Sequence, residues 1–305
     1  MQMSTARSRA PSGSELQVTI KTSRPSGPTA IAVPVTPTAD MVDERYRSAA
    51  LTFLGDTLLI FRRQLKLSLR NPAWVIIGLI QPILYLAFFG PLLARIATGG
   101  VMGVSASNPY SFFVPGLLIQ LGLFGAAFVG FTIIADWRAG VIERFRVTPV
   151  SRMALLAGRV LRDVLTLTVQ AIVLVLAGLA FGLRAPLAGV LIGLGFVAVV
   201  AVSLAAVSYA VGLVLKSEDA LAPLLNMIMV PLMLLSGIML PMTLGPQWLR
   251  DIARATPFGY IINAMRDVFA GRYFNAVVVE GIGVSVGLAV VCLWLAGRAF
   301  VTENA

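Results

Sequence analysis

Six runs of about twenty residues contain no Asp, Glu, Lys or Arg, and no other feature limits the fold as strongly. They cover residues 72–93, 112–135, 164–183, 187–215, 221–240 and 281–297. A helix of about 20 apolar residues spans the hydrocarbon core of a bilayer. In lipid each backbone polar group must find its partner inside the protein, which leaves helices as the natural solution for such runs. The sequence therefore predicts an all-α integral membrane protein with six transmembrane helices. The fourth run exceeds what a bilayer needs and is expected to tilt or extend past it. The sixth is short, and extension into 276–279 restores its length. Composition agrees: 12% of the 305 residues are charged, about half the share in a soluble domain.

Residues 1–50 are rich in Ser, Thr, Pro and Ala and cannot supply a packed core, so a disordered cytoplasmic tail is expected there. No short apolar core lies near the start, so no cleavable signal peptide is expected. The remainder, 51–305, reads as the transmembrane domain. It opens with an amphipathic helix over 51–70. Leu51, Leu54, Leu58, Phe61, Leu65 and Leu69 share one face, with Asp56, Arg63, Lys66 and Arg70 opposite. Together with Arg62, this basic face makes 51–70 an interface helix in contact with membrane lipid.

An even number of spans puts both termini on one side. Lys and Arg near span ends number twelve on the terminal side (Arg62, Arg63, Lys66, Arg70, Arg138, Arg144, Arg146, Arg152, Arg159, Arg162, Lys216, Arg298) against six on the other (Arg95, Arg184, Arg250, Arg254, Arg266, Arg272). By the positive-inside rule both termini, and the loop 136–163, face the cytoplasm. The net charge of +10 is scattered between spans, so it is assigned to cytoplasmic loops and nucleic acid is not expected as a partner.

Most enzymatic classes are excluded. The chain has no His and one cysteine, Cys292. Lys216–Ser217 follows Gly-Leu-Val-Leu rather than a phosphate-binding glycine loop. No carboxylate pair lies in an apolar run, which disfavours proton-coupled transport. No catalytic, cofactor-binding or metal-binding residue is expected in this chain.

Polar residues within the runs are Gln81, Gln120, Gln170 and Asn226, which suit either interhelical hydrogen bonds or a substrate path. The fifth run favours a path most, since it joins Asn226 to Met227, Met229 and Met233 with two prolines, Pro223 and Pro231. Phe113 and Phe124 of the second run could face the same path. The candidate path is therefore Gln81, Phe113, Gln120, Phe124, Asn226, Met227, Met229 and Met233. Glycines and alanines at four-residue spacing, such as Gly189 with Gly193 and Gly283 with Gly287, allow close helix contact.

Between the second and third runs stands GVIERFRVTPVSR, Gly140 to Arg152, with four charged residues in thirteen. Helical spacing brings Glu143 near Arg146. Pro149 ends that short helix after Thr148, and Ser151 can cap a helix entering the third run. Between the fifth and sixth runs, helical spacing through Trp248, Leu249, Ile252 and Ala253 is interrupted at Pro257. Two short outer helices are expected there, dipping toward the membrane, with Trp248 and Tyr260 at the interface.

The first of these segments resembles the cytoplasmic signature of ABC type-2 permeases, G-T-x-E-x-L-x-x-T-P-x-S followed by Gly-Lys or Gly-Arg. Gly140, Glu143, Thr148, Pro149, Ser151, Gly158 and Arg159 match, while Val141 and Phe145 replace the usual Thr and Leu. The second resembles the family's outer segment through Ser236, Gly237, Pro241, Pro246, Trp248, Pro257, Tyr260 and Arg266. The resemblance covers about 51–300 and is strongest to permeases of the daunorubicin/doxorubicin-resistance type.

It implies the membrane subunit of an exporter for a hydrophobic or amphiphilic compound in a bacterial cell membrane. A separate ATP-binding subunit would carry ATP and Mg and dock on the loop after the second span and on the interface helix. Gly140, Glu143, Arg144, Arg146, Thr148, Pro149, Ser151 and Arg152 would form the ATPase-coupling segment. A second permease subunit, identical or paralogous, would complete the path, lined by the first, second and fifth spans. Pro241, Trp248, Pro257 and Tyr260 would form the outer motif. Alternatives are an exporter of lipid-linked polysaccharide, a stand-alone secondary carrier, and a lipid-modifying enzyme using Asp251, Asp267 or Glu280.

Overall fold

A computed structural model describes residues 39–70, 73–98, 109–141, 152–238 and 245–302. Among them every regular element is helical: α1 Ala39–Arg70, α2 Ala73–Thr98, α3 Pro109–Ala127, α4 Gly130–Arg138, α5 Arg152–Ala180, α6 Leu187–Leu215, α7 Glu218–Leu235, α8 Gln247–Ala255, α9 Pro257–Phe269 and α10 Ala276–Thr302. The chain divides at Arg45–Tyr46, and the helical bundle belongs to the second unit, Tyr46–Ala305.

Among the described residues six spans are long and apolar enough to cross a membrane: Val75–Leu92 in α2, Pro109–Arg138 in α3 and α4, Met153–Ala180 in α5, Leu187–Leu215 in α6, Glu218–Leu235 in α7 and Ala276–Ala299 in α10. The chain is thus a multi-pass membrane protein. The fourth span, α6, is the hub, packing against α3, α4, α5, α9 and α10. Gly189 and Gly193 face Val268 and Phe269 of α9, whereas none of the described residues comes within 4 Å of a Cβ placed on Gly283 or Gly287.

Several boundaries differ from the sequence expectation. The helix α1 begins at Ala39, inside the segment expected to be disordered. The third span starts at Met153 instead of residue 164, so Arg159, Arg162 and Asp163 lie on its helix. The protein interior shields these charges, so the helix need not stop where apolarity does. The second span is two helices, broken at Phe128–Val129.

The face of α1 that meets the bundle is not the leucine stripe. Ile60 is buried and Thr57 half-buried against α5, while Leu54, Leu58 and Leu69 remain exposed. The reason is Gly158: a Cβ there would lie 2.9 Å from the Thr57 carbonyl oxygen and 2.8 Å from Ile60 Cγ2. Only glycine lets the helices meet along that line, which leaves the leucines about a quarter turn away for lipid. Gly158→Val is expected to cost about 1–3 kcal/mol by overpacking. Thermal unfolding of the detergent-solubilised chain checks this, and an unchanged midpoint would show that α1 does not rest on α5.

Candidate functional site

The signature segment joins α4 to α5. The chain leaves α4 through Ala139 and Gly140, whose φ of +66° turns it away from the helix axis. Glu143, Arg144, Arg146, Thr148, Pro149 and Ser151 lie outside the described residues. From Arg152, α5 continues unbroken into the third span as far as Ala180.

Where α4 and α5 converge, the protein buries charge. Arg159 is 1% exposed, and its Nη2 lies 2.7 Å from Asp136 Oδ2 on the last turn of α4. That contact is an ion pair off the line of the N–H bonds, and Arg159 Nε has no hydrogen-bond partner. One turn along α5, Asp163 is 2% exposed, 2.9 Å from Arg162 Nη1, and accepts a hydrogen bond from the Tyr209 hydroxyl of α6. Ser208, beside Tyr209, closes the break in the second span. Its Oγ accepts from Gly130 N at 2.9 Å and donates to the Ala127 carbonyl. These are backbone groups that a broken helix leaves without intrahelical partners. The backbones touch at the same level, since a Cβ on Gly212 would lie 2.7 Å from Gly130 O. One Arg–Asp ion pair, a tyrosine bonded to Asp163 and a serine thus join the second, third and fourth spans beside the signature segment.

On α1, Arg62, Arg63, Lys66 and Arg70 are exposed on the side away from the bundle. They share a groove of about 860 Å³ with Gly55, Leu58, Leu59, Leu67 and Leu69. Arg70 lies five positions before the start of the first span at Val75.

The eight candidate path residues do not form one surface. Phe113 is in the core, and Gln81 is exposed, donating to Tyr85 of its own helix at 3.2 Å. Asn226 bonds its own helix at the Ala222 carbonyl, 3.0 Å away. Met227 is 78% exposed and Met229 6%, because neighbours two apart on a helix point to nearly opposite sides. Met233 and Phe124 are half-buried, Phe124 stacked near Phe128. Gln120 is 2% exposed, and neither amide atom has a hydrogen-bond partner among the described residues. Gln170, by contrast, ties the third span to the first by donating to the Val75 carbonyl at 2.8 Å.

At the other end, Pro257 starts α9 behind Thr256, a position where a missing N–H costs nothing. Trp248 on α8 and Tyr260 on α9 are exposed, and Pro241 lies outside the described residues. Most of α9 is buried: it dips into the bundle, with Phe258, Ile261, Ile262, Met265 and Phe269 inside. Arg266 donates from Nε to the Phe112 carbonyl at 3.2 Å and from Nη2 to the carbonyls of Gly237 and Ile238 at 2.7 and 3.4 Å. Its guanidinium also lies 3.6 Å from the Phe112 ring centroid. Desolvation lowers its pKa to about 9, which leaves it charged near neutral pH. Asp251 pairs with Arg254, and Asp267 with Arg272 and Asn275; Asn275 also caps α10 through Val278 N.

Sequence reasoning did not single out Asp136, Asp163, Tyr209 or Ser208 as site residues. Arg159 and Asp163 are four apart just ahead of an apolar run, and Asp136 directly follows another. That was the available signal. Tyr209 and Ser208 inside the fourth run gave none.

Comparison with known proteins follows the same division of the chain. Residues 56–270 match the family model of the ABC-2 type transporter. A daunorubicin resistance ABC transporter permease protein, DrrB1 of Streptomyces coeruleorubidus, is 27% identical over 260 residues, 85% of this chain and 88% of its own length. The probable doxorubicin resistance ABC transporter permease protein DrrC of Mycobacterium tuberculosis is 24% identical over 248 residues, 81% of this chain and 88% of its own. A putative transport permease, ycf38 of Cyanophora paradoxa, is 24% identical over 230 residues, 74% of this chain and 79% of its own. With the family model covering most of a six-span helical chain, this protein belongs to the ABC-2 type transporter family.

Proposed function

We propose that the chain is the permease subunit of an ATP-driven exporter that carries a hydrophobic or amphiphilic compound out of the cytoplasm or inner leaflet. The observation that carries this reading is the ion pair that flanks the signature segment, between half-buried Asp136 and buried Arg159. A separate ATP-binding subunit, holding ATP and Mg, docks on Gly140–Arg152. Both termini are cytoplasmic, in a bacterial cell membrane. The drug-resistance names of DrrB1 and DrrC support a drug-like cargo. A second permease subunit, identical or paralogous, packs on the exposed apolar faces of the first and fifth spans, among them Phe88, Met227 and Leu234. The basic face of α1 meets anionic inner-leaflet lipid, its four cations over exposed leucines.

Glu143→Ala and Arg146→Ala are expected to leave membrane insertion intact and to reduce permease-dependent ATPase stimulation about tenfold or more, the loss of one or two charge-assisted contacts at a docking site. Co-purification with the ATP-binding subunit and ATP turnover in proteoliposomes check this. Normal export with normal stimulation would sink the docking role.

A further inference from the structure

Resting on that reading, we propose that the second permease subunit is another copy of this chain, and that Gln81 of each copy forms an amide–amide hydrogen-bonded pair with Asn226 of the other.

Three spans leave most of their surface uncovered: the first, the fifth and the sixth. Their exposed faces differ in chemistry. On the sixth, Ile282, Val286, Val290 and Leu293 are exposed and no side-chain amide lies in the span. Acyl chains cover such a face at no cost. The first and fifth spans each carry one exposed amide, Gln81 and Asn226, whereas Gln120 and Gln170 of the second and third are buried. Gln81 lies six residues past Val75, about 9 Å into its span, and Asn226 eight residues past Glu218, about 12 Å into its own. As first and fifth of six, these spans run in the same direction, so the two amides differ in depth by less than one helical turn.

A primary amide has two N–H donors and one carbonyl acceptor. Gln81 spends one N–H on the Tyr85 hydroxyl at 3.2 Å, and Asn226 one on the Ala222 carbonyl at 3.0 Å. On each, the second N–H and the carbonyl oxygen have no partner among the described residues. Hydrocarbon supplies neither donor nor acceptor, so lipid is a poor cover for both positions. The two remainders are complementary, since each amide can donate to the other's oxygen and accept from its N–H. In a two-fold dimer one surface meets its own copy, so Gln81 faces Asn226 and the converse holds. A single interface then satisfies all four amides. The helices α2 and α7 both pack against α3, so the two stripes flank one helix. Ile77 and Phe88 share a stripe with Gln81, at i−4 and i+7, and Val230 and Leu234 one with Asn226, at i+4 and i+8; all four are exposed. The contact is polar at one level and apolar above and below, an arrangement that fixes the register of packed helices.

The test uses the full chain in liposomes, in a Cys292→Ala background. One chain carries Gln81→Cys and a differently tagged chain carries Asn226→Cys, so any bridge joins two chains. A short bifunctional thiosulfonate should give a covalent dimer bearing both tags. Replacing the second chain by one with Ile282→Cys should give none. Separately, Gln81→Leu should raise the dimer dissociation constant about three- to thirtyfold, the range of one or two interhelical hydrogen bonds in lipid. Energy transfer between labelled chains on dilution with lipid measures it. Asn226→Leu should do the same, and the two together little more than either, because each breaks the same pair. A lipid-facing amide would show the opposite sign, since leucine suits hydrocarbon better. A bridge to the sixth-span cysteine, no bridge at all, or an unchanged dissociation constant overturns the pair. Unchanged association with a raised KM for daunorubicin export would give the two amides to cargo instead, and overturns it as well. ATP-driven export by the wild-type complex is measured apart from these readouts, so the pair can fail while the proposed function stands.

Discussion

Arg266→Ala is expected to destabilise the chain by about 3–5 kcal/mol, one of the two largest effects of any single substitution in this fold. One guanidinium serves three carbonyls, of Phe112, Gly237 and Ile238, from two separate parts of the chain. Two of those carbonyls belong to the turn that ends the fifth span, where Gly237 has a φ of +74° and the helix presents its negative pole. Removing the side chain leaves these acceptors unpaired and opens a void beside Phe112, which also loses its cation–π contact. Arg266→Lys keeps the charge but not the planar fork, so it should recover only part of the loss. Because the group is charged around neutral pH in both folded and unfolded chains, the difference should not depend on pH there. Unfolding of the purified chain in mixed micelles measures it. A loss below about 1 kcal/mol would mean that water serves these carbonyls equally well.

Asp163→Ala should cost a similar amount, about 3–5 kcal/mol, for a different reason. Its carboxylate answers Arg162 and the Tyr209 hydroxyl in a site almost without solvent. Alanine leaves a cation without its carboxylate and a buried hydroxyl without an acceptor. Tyr209→Phe removes a single hydrogen bond and should cost about 1–2 kcal/mol. The double variant should be less damaged than the sum of the two, since each single change breaks the same contact. A double-mutant cycle on unfolding midpoints tests this, and strict additivity would mean that the two groups do not interact.

The six-span architecture was legible because lipid imposes a simple rule. A long run without charge has few fates, and the sequence carried six of them. The outer helices were legible for a similar local reason, the proline at 257 that cannot continue one helix but starts the next well. The signature segment was recognisable by its order of residues, while 142–151 lie outside the described residues. The candidate path was much less legible. Residue type identified Gln120 and Gln170 alike, yet Gln170 bonds across to the first span and Gln120 meets no hydrogen-bond partner among the described residues. Met227 and Met229 looked equivalent, and the helix turns them to opposite sides.

By itself the sequence determined the number of spans, the charged segment between the second and third, the basic face of α1 and the family to which the chain belongs. These follow from local composition and order, which lipid and helix geometry convert directly into structure. Only the tertiary structure decided that Arg159 and Asp163 are buried, that Asp136 reaches Arg159, that Ser208 caps a break in another helix, and that Gly158 turns the leucines of α1 away from the bundle. Those facts depend on which helices lie side by side. A charged residue near a span end reads the same whether it faces water or a partner some 20 to 80 positions away, and packing alone separates the two.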